Sequence, residues 1–199
     1  MATIYLVRHA AHDLLDHVLT GRMPRVHLGD PGREQARRLA LHFRPLEVTA
    51  VQSSPRERAV ETARPIAEAA GLACQETAAL DEIHTGEWTG QSFAVLAADE
   101  RWQVWNARRS SASAPGGESM AEVQDRVVRH MRMCGVSQPD ARLVMVSHAD
   151  VIKAALLYIL GASLDAYDRL EIAPASISTV VLGEWGAKVV GINAQAIAA

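Results

Sequence analysis

Ile4-Tyr5-Leu6-Val7-Arg8-His9 is a continuous apolar run that stops abruptly at two basic residues. Such a run reads as a buried strand, and a strand that ends in two cations delivers them to one edge of a sheet. The pair alone is weak evidence, because Arg129-His130 repeats it inside a helical pattern with nothing around it. The device recurs, however, at Leu143-Val144-Met145-Val146, which runs into Ser147-His148 at the start of an almost wholly apolar helix, Val151 to Leu160. A helix of that composition is buried on most sides.

Working outward, a short strand near 47–52 ends in Ser53-Ser54-Pro55-Arg56-Glu57-Arg58. Ser54 as N-cap, Pro55 at the first helical position and Glu57 three residues after the cap predict a capping box. That places Arg58 in the first helical turn, where it can swing toward the strand end. Asp30-Pro31 predicts another helix start, with Ala36, Leu39, Ala40 and Phe43 at helical spacing. Ser119 and Glu122 predict a second capping box, with Met120, Val123, Val127 and Met131 on the buried face. A third strand is expected over 72–75, and two more near 176–182 and 188–192. Residues 91–109 read as one or two irregular helices whose Trp102 and Trp105 pack a lid, and Ser110 to Gly117 as a mobile connection. The loop 10–29 is long enough to carry function.

Strands alternating with helices predict an α/β fold, a three-layer sandwich with a mostly parallel central sheet flanked by helices. Ligands of such sheets bind at the carboxyl ends of the strands. Three strands here end in Arg8-His9, Ser53 to Arg58, and Ser147-His148, so two histidines and two arginines converge on one crevice suited to a dianion. The 199 residues are near the size of one ordinary domain, and a single domain over 1–199 is expected. Its cap segments would lie near 10–29 and 91–115. With 49% hydrophobic and 22% charged residues the chain is typical of globular proteins. A net charge of −3 argues against nucleic-acid binding through bulk charge. Only Lys153 and Lys188 are lysines, so most cations are guanidinium forks, which suit phosphate and carboxylate. Two lone cysteines, Cys74 and Cys134, without CxxC spacing point to a reducing, cytoplasmic setting. No apolar stretch reaches membrane-spanning length, so no membrane partner is expected.

The motifs resemble those of the histidine phosphatase superfamily, the phosphoglycerate mutase-like fold. They are Leu6-Val7-Arg8-His9, Ser53 through Ala63, Leu80-Asp81-Glu82-Ile83 with Gly86-Glu87-Trp88-Thr89-Gly90, Pro115-Gly116-Gly117-Glu118-Ser119, and Val146-Ser147-His148, in the family's order. The resemblance implies a metal-independent phosphatase that hydrolyses a small phosphorylated substrate and needs no cofactor. By it His9 becomes a phosphohistidine, Arg8, Arg58 and His148 hold phosphoryl oxygens, and Glu82, rather than Asp81, is the general acid and base. Thr20, Gly21 and Arg22 match a family loop that touches substrate, and Ala149 stands where glycine usually follows the second histidine. The run Ala10-Ala11-His12-Asp13-Leu14-Leu15 likewise departs from the usual glycine, polar residue and asparagine. A methyl at each place narrows the approach to phosphate or forbids a positive φ. The mutases carry Arg-His-Tyr-Gly where this chain has Ile83-His84-Thr85-Gly86, which favours hydrolysis over phosphoglycerate mutase-type transfer.

Two alternatives stand beside that reading. His9, His12, Asp13 and His17 form a set a metal would use, but their spacing follows no metal-motif rule, and His12 and His17 read as solvated loop residues. A non-catalytic member that binds a phosphorylated ligand or a partner is suggested by Ala10 and Ala149. Oligomeric state is not encoded in any motif, which leaves a homodimer open. The leaving group has no sequence signature either.

Overall fold

The computed structural model describes residues 1–196; the last three residues of the expected domain, 197–199, lie outside them. In chain order the main elements are β1 (Ala2–Arg8), α1 (Asp30–Phe43), β2 (Ala50–Ser53), α2 (Glu57–Ala70), β3 (Cys74–Glu76), α3 (Phe93–Leu96), α4 (Glu100–Ala107), α5 (Met120–Ser137), β4 (Arg142–Ser147), α6 (Ala149–Ile159), β5 (Ile177–Gly183) and β6 (Gly186–Ala194). The sheet has six strands in the order β3-β2-β4-β1-β5-β6. Its first four are mutually parallel, and β5 and β6 are antiparallel additions.

The layers follow from side-chain alternation along buried strands. Ile4 and Leu6 of β1, with Leu143 and Met145 of β4, point to one face and pack with Val127 and Met131 of α5 and Val151 and Leu156 of α6. Their neighbours Val7, Val144 and Val146 point to the other face, against Leu39 and Phe43 of α1 and Ala63 and Ile66 of α2. Both faces of the sheet are thus covered, as expected of a mostly parallel sheet.

Register decides where chemistry can gather. Arg8 pairs with Ser147 and Ser53 with Val146. Just beyond, the backbone N–H of His9 donates to Ser147 O at 2.9 Å, and that of Ser54 to Val146 O at 2.9 Å. The three strand ends predicted to carry the site therefore terminate within about one residue of each other.

Several local expectations are corrected. The second strand starts at Ala50 rather than 47, because Arg44–Leu46 form a 3₁₀ turn and Glu47 takes a left-handed conformation with φ 48°. Asp30 is the first residue of α1, with Gly29 as its N-cap. Ser54 and Glu57 do not form a capping box; α2 begins at Glu57 with Arg56 as its N-cap and no side-chain cap. Both side chains are engaged elsewhere: the Ser54 hydroxyl with His148 at 2.8 Å, and Glu57 Oε1 with the N–H of Arg25 at 2.9 Å. The Ser119–Glu122 capping box forms, and Met120, Val123, Val127 and Met131 are all buried. The expected mobile connection is anchored at its end: Pro115 O accepts the N–H of Glu87 at 2.9 Å and His84 O accepts that of Glu118 at 2.8 Å. Gly86, at φ 52°, makes this contact possible, since a Cβ there would fall 1.9 Å from Pro115 O.

Candidate active site

A cavity of about 230 Å³ opens at the carboxyl ends of β1 and β4. His9 stands at its floor, directly after β1. The neutral ring donates its Nδ1–H to Ala10 O at 2.8 Å, which leaves the unprotonated Nε2 to accept from Arg58 Nε at 3.3 Å. Burial, then the charges of Arg58 and Arg8, hold its pKa well below 6.5. The ring is therefore neutral and able to attack.

Arg58 is fully buried in the first turn of α2. Its Nη2 donates to Gly21 O at 2.8 Å and meets His148 Nδ1 at 3.2 Å, while Nη1 has no partner. With Nδ1 accepting from Arg58, His148 donates its Nε2–H to Ser54 Oγ at 2.8 Å, and Ser54 in turn lies 3.3 Å from Asp81 Oδ1. Burial first, and Arg58 second, keep His148 well below 6.5. Arg8 donates to Ile172 O at 2.6 Å and leaves its Nε unpartnered. Unpaired buried donors are costly unless something occupies the space between them. Arg8 and His9 line the cavity, while Arg58 and His148, both fully buried, stand behind His9 rather than in the lining; the four together gather two guanidinium forks and two neutral imidazoles at one place, an arrangement suited to a tetrahedral dianion.

Glu82 lines the same cavity, whereas Asp81 does not. Asp81 is consumed by a bidentate pair with Arg56 at 2.9 and 3.0 Å and by the N–H of Glu82 at 2.8 Å. Glu82 Oε2 instead lies 3.4 Å from His148 Nδ1 and 3.9 Å from Arg58 Nη2. Burial, and after it the negative charge of Asp150, push its pKa above the usual carboxylate range, against the opposing pull of Arg58. A carboxyl so placed is protonated near neutral pH and can donate.

The family model of the histidine phosphatase superfamily (branch 1) matches residues 4–195. The chain belongs to this superfamily. A probable phosphoglycerate mutase of Salmonella choleraesuis is 30% identical over 184 residues, covering 90% of this chain and 85% of that protein. The mycobacterial glucosyl-3-phosphoglycerate phosphatase superposes with a TM-score of 0.87 at 24% identity, over 97% of this chain and 99% of that one. A phosphoserine phosphatase from Entamoeba histolytica gives 0.87 at 22%, over 97% of each chain. At those identities the two structures establish the fold.

Within this histidine phosphatase the remaining expected residues divide. Thr20, Gly21 and Ala149 line the cavity. Arg22 does not; its Nε donates to Glu82 O at 2.7 Å and its Nη2 to Glu118 Oε2 at 2.8 Å, so it braces the acidic segment from behind. Ala10 and Ala149 are absent from the positive-φ residues, so the methyls sit on backbone that any residue adopts. His12, read from sequence as solvated, is buried and stacked on His9, with ring centroids 5.4 Å apart and 29° between planes. Burial and the charges of Arg58 and Arg8 lower its pKa to about 4. Asn106, Arg109, Asp150 and Tyr167 also line the cavity and carry no sequence signal, since they come from loops and helix ends that no motif marks. Trp102 and Trp105 pack with Trp88 and also wall the cavity. Among the described residues no group of three or more His, Cys, Asp or Glu is placed to hold a metal ion, and no helix is long and apolar enough to cross a membrane.

Proposed function

We propose that the protein is a metal-independent phosphomonoesterase working through a phosphohistidine on His9. The observation that carries this reading is the unprotonated Nε2 of a neutral His9, held by Arg58 Nε and sharing its cavity with Arg8 and with a carboxyl that burial keeps protonated. In the first step Nε2 attacks phosphorus as the ester P–O bond breaks, and Glu82 gives its proton to the departing alcohol oxygen. In the second, the Glu82 carboxylate takes a proton from water, the hydroxide forms a P–O bond, and the P–N bond breaks to free His9 and inorganic phosphate. Arg8, Arg58 and His148 hold the phosphoryl oxygens through both steps, where charge spreads over them. Thr20 and Gly21 border the bound group, and Ala149 closes its floor.

The reading includes one catalytic domain whose caps, 10–29 and 91–115, meet above the cavity. Gly90 N–H donates to Leu19 O at 2.8 Å and Leu19 N–H to Gln91 O at 2.9 Å, which supports a joint cap. The free thiols of Cys74 and Cys134 support a cytoplasmic setting.

The test is hydrolysis of an aryl phosphate with chelator present, by the wild type and by His9→Ala. Turnover indifferent to chelator and reduced on the order of 10³-fold or more in the variant is the expected result. Turnover abolished by chelator, or untouched by His9→Ala, overturns the reading. Release of inorganic phosphate without transfer to an added alcohol separates hydrolysis from mutase-type transfer.

A further inference from the structure

Beyond the phosphate pocket, the cavity reaches a charge pair that the proposed chemistry does not use. Asp150 sits in the first turn of α6, two residues after His148, with its side chain 15% exposed toward the cavity. Tyr167 Oη donates to its Oδ1 at 2.6 Å. Burial and the adjacent Asp150 charge keep that phenol protonated, so it is a fixed donor. Arg109 Nη1 stands 3.5 Å from Asp150 Oδ2, close enough to balance charge and too far for a normal hydrogen bond.

Arg109 itself cannot greet a ligand. Its guanidinium carbon lies 3.2 Å from the Trp105 ring centroid and 3.9 Å from that of Tyr167, so both faces are covered. Its Nη2 is tied to Asn106 Oδ1 at 2.7 Å, and Nε and Nη1 are sealed from solvent. The cation orients Asp150 from behind. The carboxylate is the partner that faces the cavity. An ionised carboxylate accepts about four hydrogen bonds, and the one side-chain hydrogen bond it receives among the described residues comes from Tyr167.

The position of this unused acceptor is set by Glu82. Asp150 lines the same cavity as Glu82, the group that would protonate the leaving oxygen, and its charge acts on that carboxyl. Asp150 therefore borders the alcohol half of a bound ester. Asp16 at the mouth adds a second exposed carboxylate, and Trp102 and Phe93 supply apolar wall. At about 230 Å³ the cavity holds a phosphoryl group and a short alcohol.

We propose that Asp150 is a specificity-determining residue that selects phosphomonoesters whose short alcohol carries a hydrogen-bond donor, hydroxyl or ammonium, beside the ester oxygen. It disfavours esters that carry a second anion there. This inference rests on the phosphomonoesterase reading above for which end of the cavity holds phosphate. A donor fills the acceptor sites of Asp150, while a carboxylate in the same place meets like charge, the nearby cations being engaged: Arg109 lies between two rings, Lys153 is buried with its ammonium 4.1 Å from the Tyr167 ring, and Arg8 is assigned to the phosphoryl group.

Calorimetric binding to the His9→Ala protein tests it without turnover, using glycerol 3-phosphate, phosphoethanolamine and 3-phosphoglycerate. The first two should bind about tenfold more tightly than the third, and adding Asp150→Asn should erase most of that preference. The Asn amide still accepts from a hydroxyl but carries no charge, so a larger loss for phosphoethanolamine than for glycerol 3-phosphate identifies ammonium as the natural donor, and the reverse identifies hydroxyl. Tightest binding of 3-phosphoglycerate to His9→Ala alone overturns the inference, as does a ranking that Asp150→Asn leaves unmoved. The expected ranking together with no wild-type hydrolysis of the best binder defeats the phosphatase reading and leaves the selectivity of Asp150 standing.

Discussion

Arg58 and Arg109 are both buried arginines on one cavity, and their surroundings give them opposite work. Arg58 has its fork edge turned inward, to His9 and His148, with an Nη1 that finds no hydrogen-bond partner among the described residues. Arg109 has its faces pressed between Trp105 and Tyr167 and its charge spent on Asp150. The first is placed by a strand end and a helix start, the second by packing between the lid helix α4 and the segment after α6. Under the proposed mechanism, the charge at phosphorus is thus fixed by main-chain geometry, and selectivity by side chains that can change without disturbing it.

The sharpest way to break that contrast is to substitute both arginines. Arg58→Lys keeps a charge but loses the fork that spans His9, Gly21 O and the phosphoryl group, so kcat on an aryl phosphate should fall on the order of 10²–10³-fold with little change in Tm. Arg109→Leu leaves Asp150 without its counter-ion and the aromatic rings without their filling, so denaturant unfolding should show a loss of about 3 kcal/mol and a smaller fall in kcat than Arg58→Lys. If Arg109→Leu proves the more damaging to turnover and costs no stability, the division between the two ends is wrong.

Glu82→Gln comes next in size. Gln keeps the shape and cannot give a proton, so kcat/KM for an alkyl phosphate should fall about 10²-fold. A nitrophenyl ester, whose leaving group needs little protonation, should lose less in the first step. Equal losses for both esters would place Glu82 outside proton transfer.

The same division explains what the sequence made legible. That Arg8, His9, Arg58 and His148 come together was readable, because strand ends are marked by where apolar runs stop and the sheet brings those ends together; Glu82 follows a 3₁₀ turn rather than a strand and was legible only through the family resemblance. The proposed capping box at Ser54 was wrong in detail and right in consequence, since Arg58 still falls in the first turn of α2. Arg22 and His12 were misread in opposite directions. A loop residue's neighbours depend on how the loop folds back, and nothing local told that His12 would stack on His9 while Arg22 would turn to Glu118. Asp150, two residues from a legible histidine, gave no hint of Tyr167 and Arg109, because that partnership is formed by tertiary packing alone.

The smallest expected effect is a pH shift that ties the two ends together. His9 is held well below 6.5, so its reactive neutral form persists into acid and the acidic limb of kcat/KM should lie below that value. Glu82 is raised above 4.5, so its protonated form survives upward and activity is lost only as pH climbs through that raised pKa. Asp150→Asn removes a negative charge that favours the protonated form, so the Glu82 pKa must fall and the basic limb move to lower pH. The acidic limb, set by burial and by Arg58 and Arg8, should stay where it is. Because the substrate phosphate titrates identically against both proteins, the difference between their profiles isolates Glu82. A basic limb that does not move would mean that Asp150 and the acid do not sense each other, and the two ends of the cavity would then be independent in charge as well as in construction.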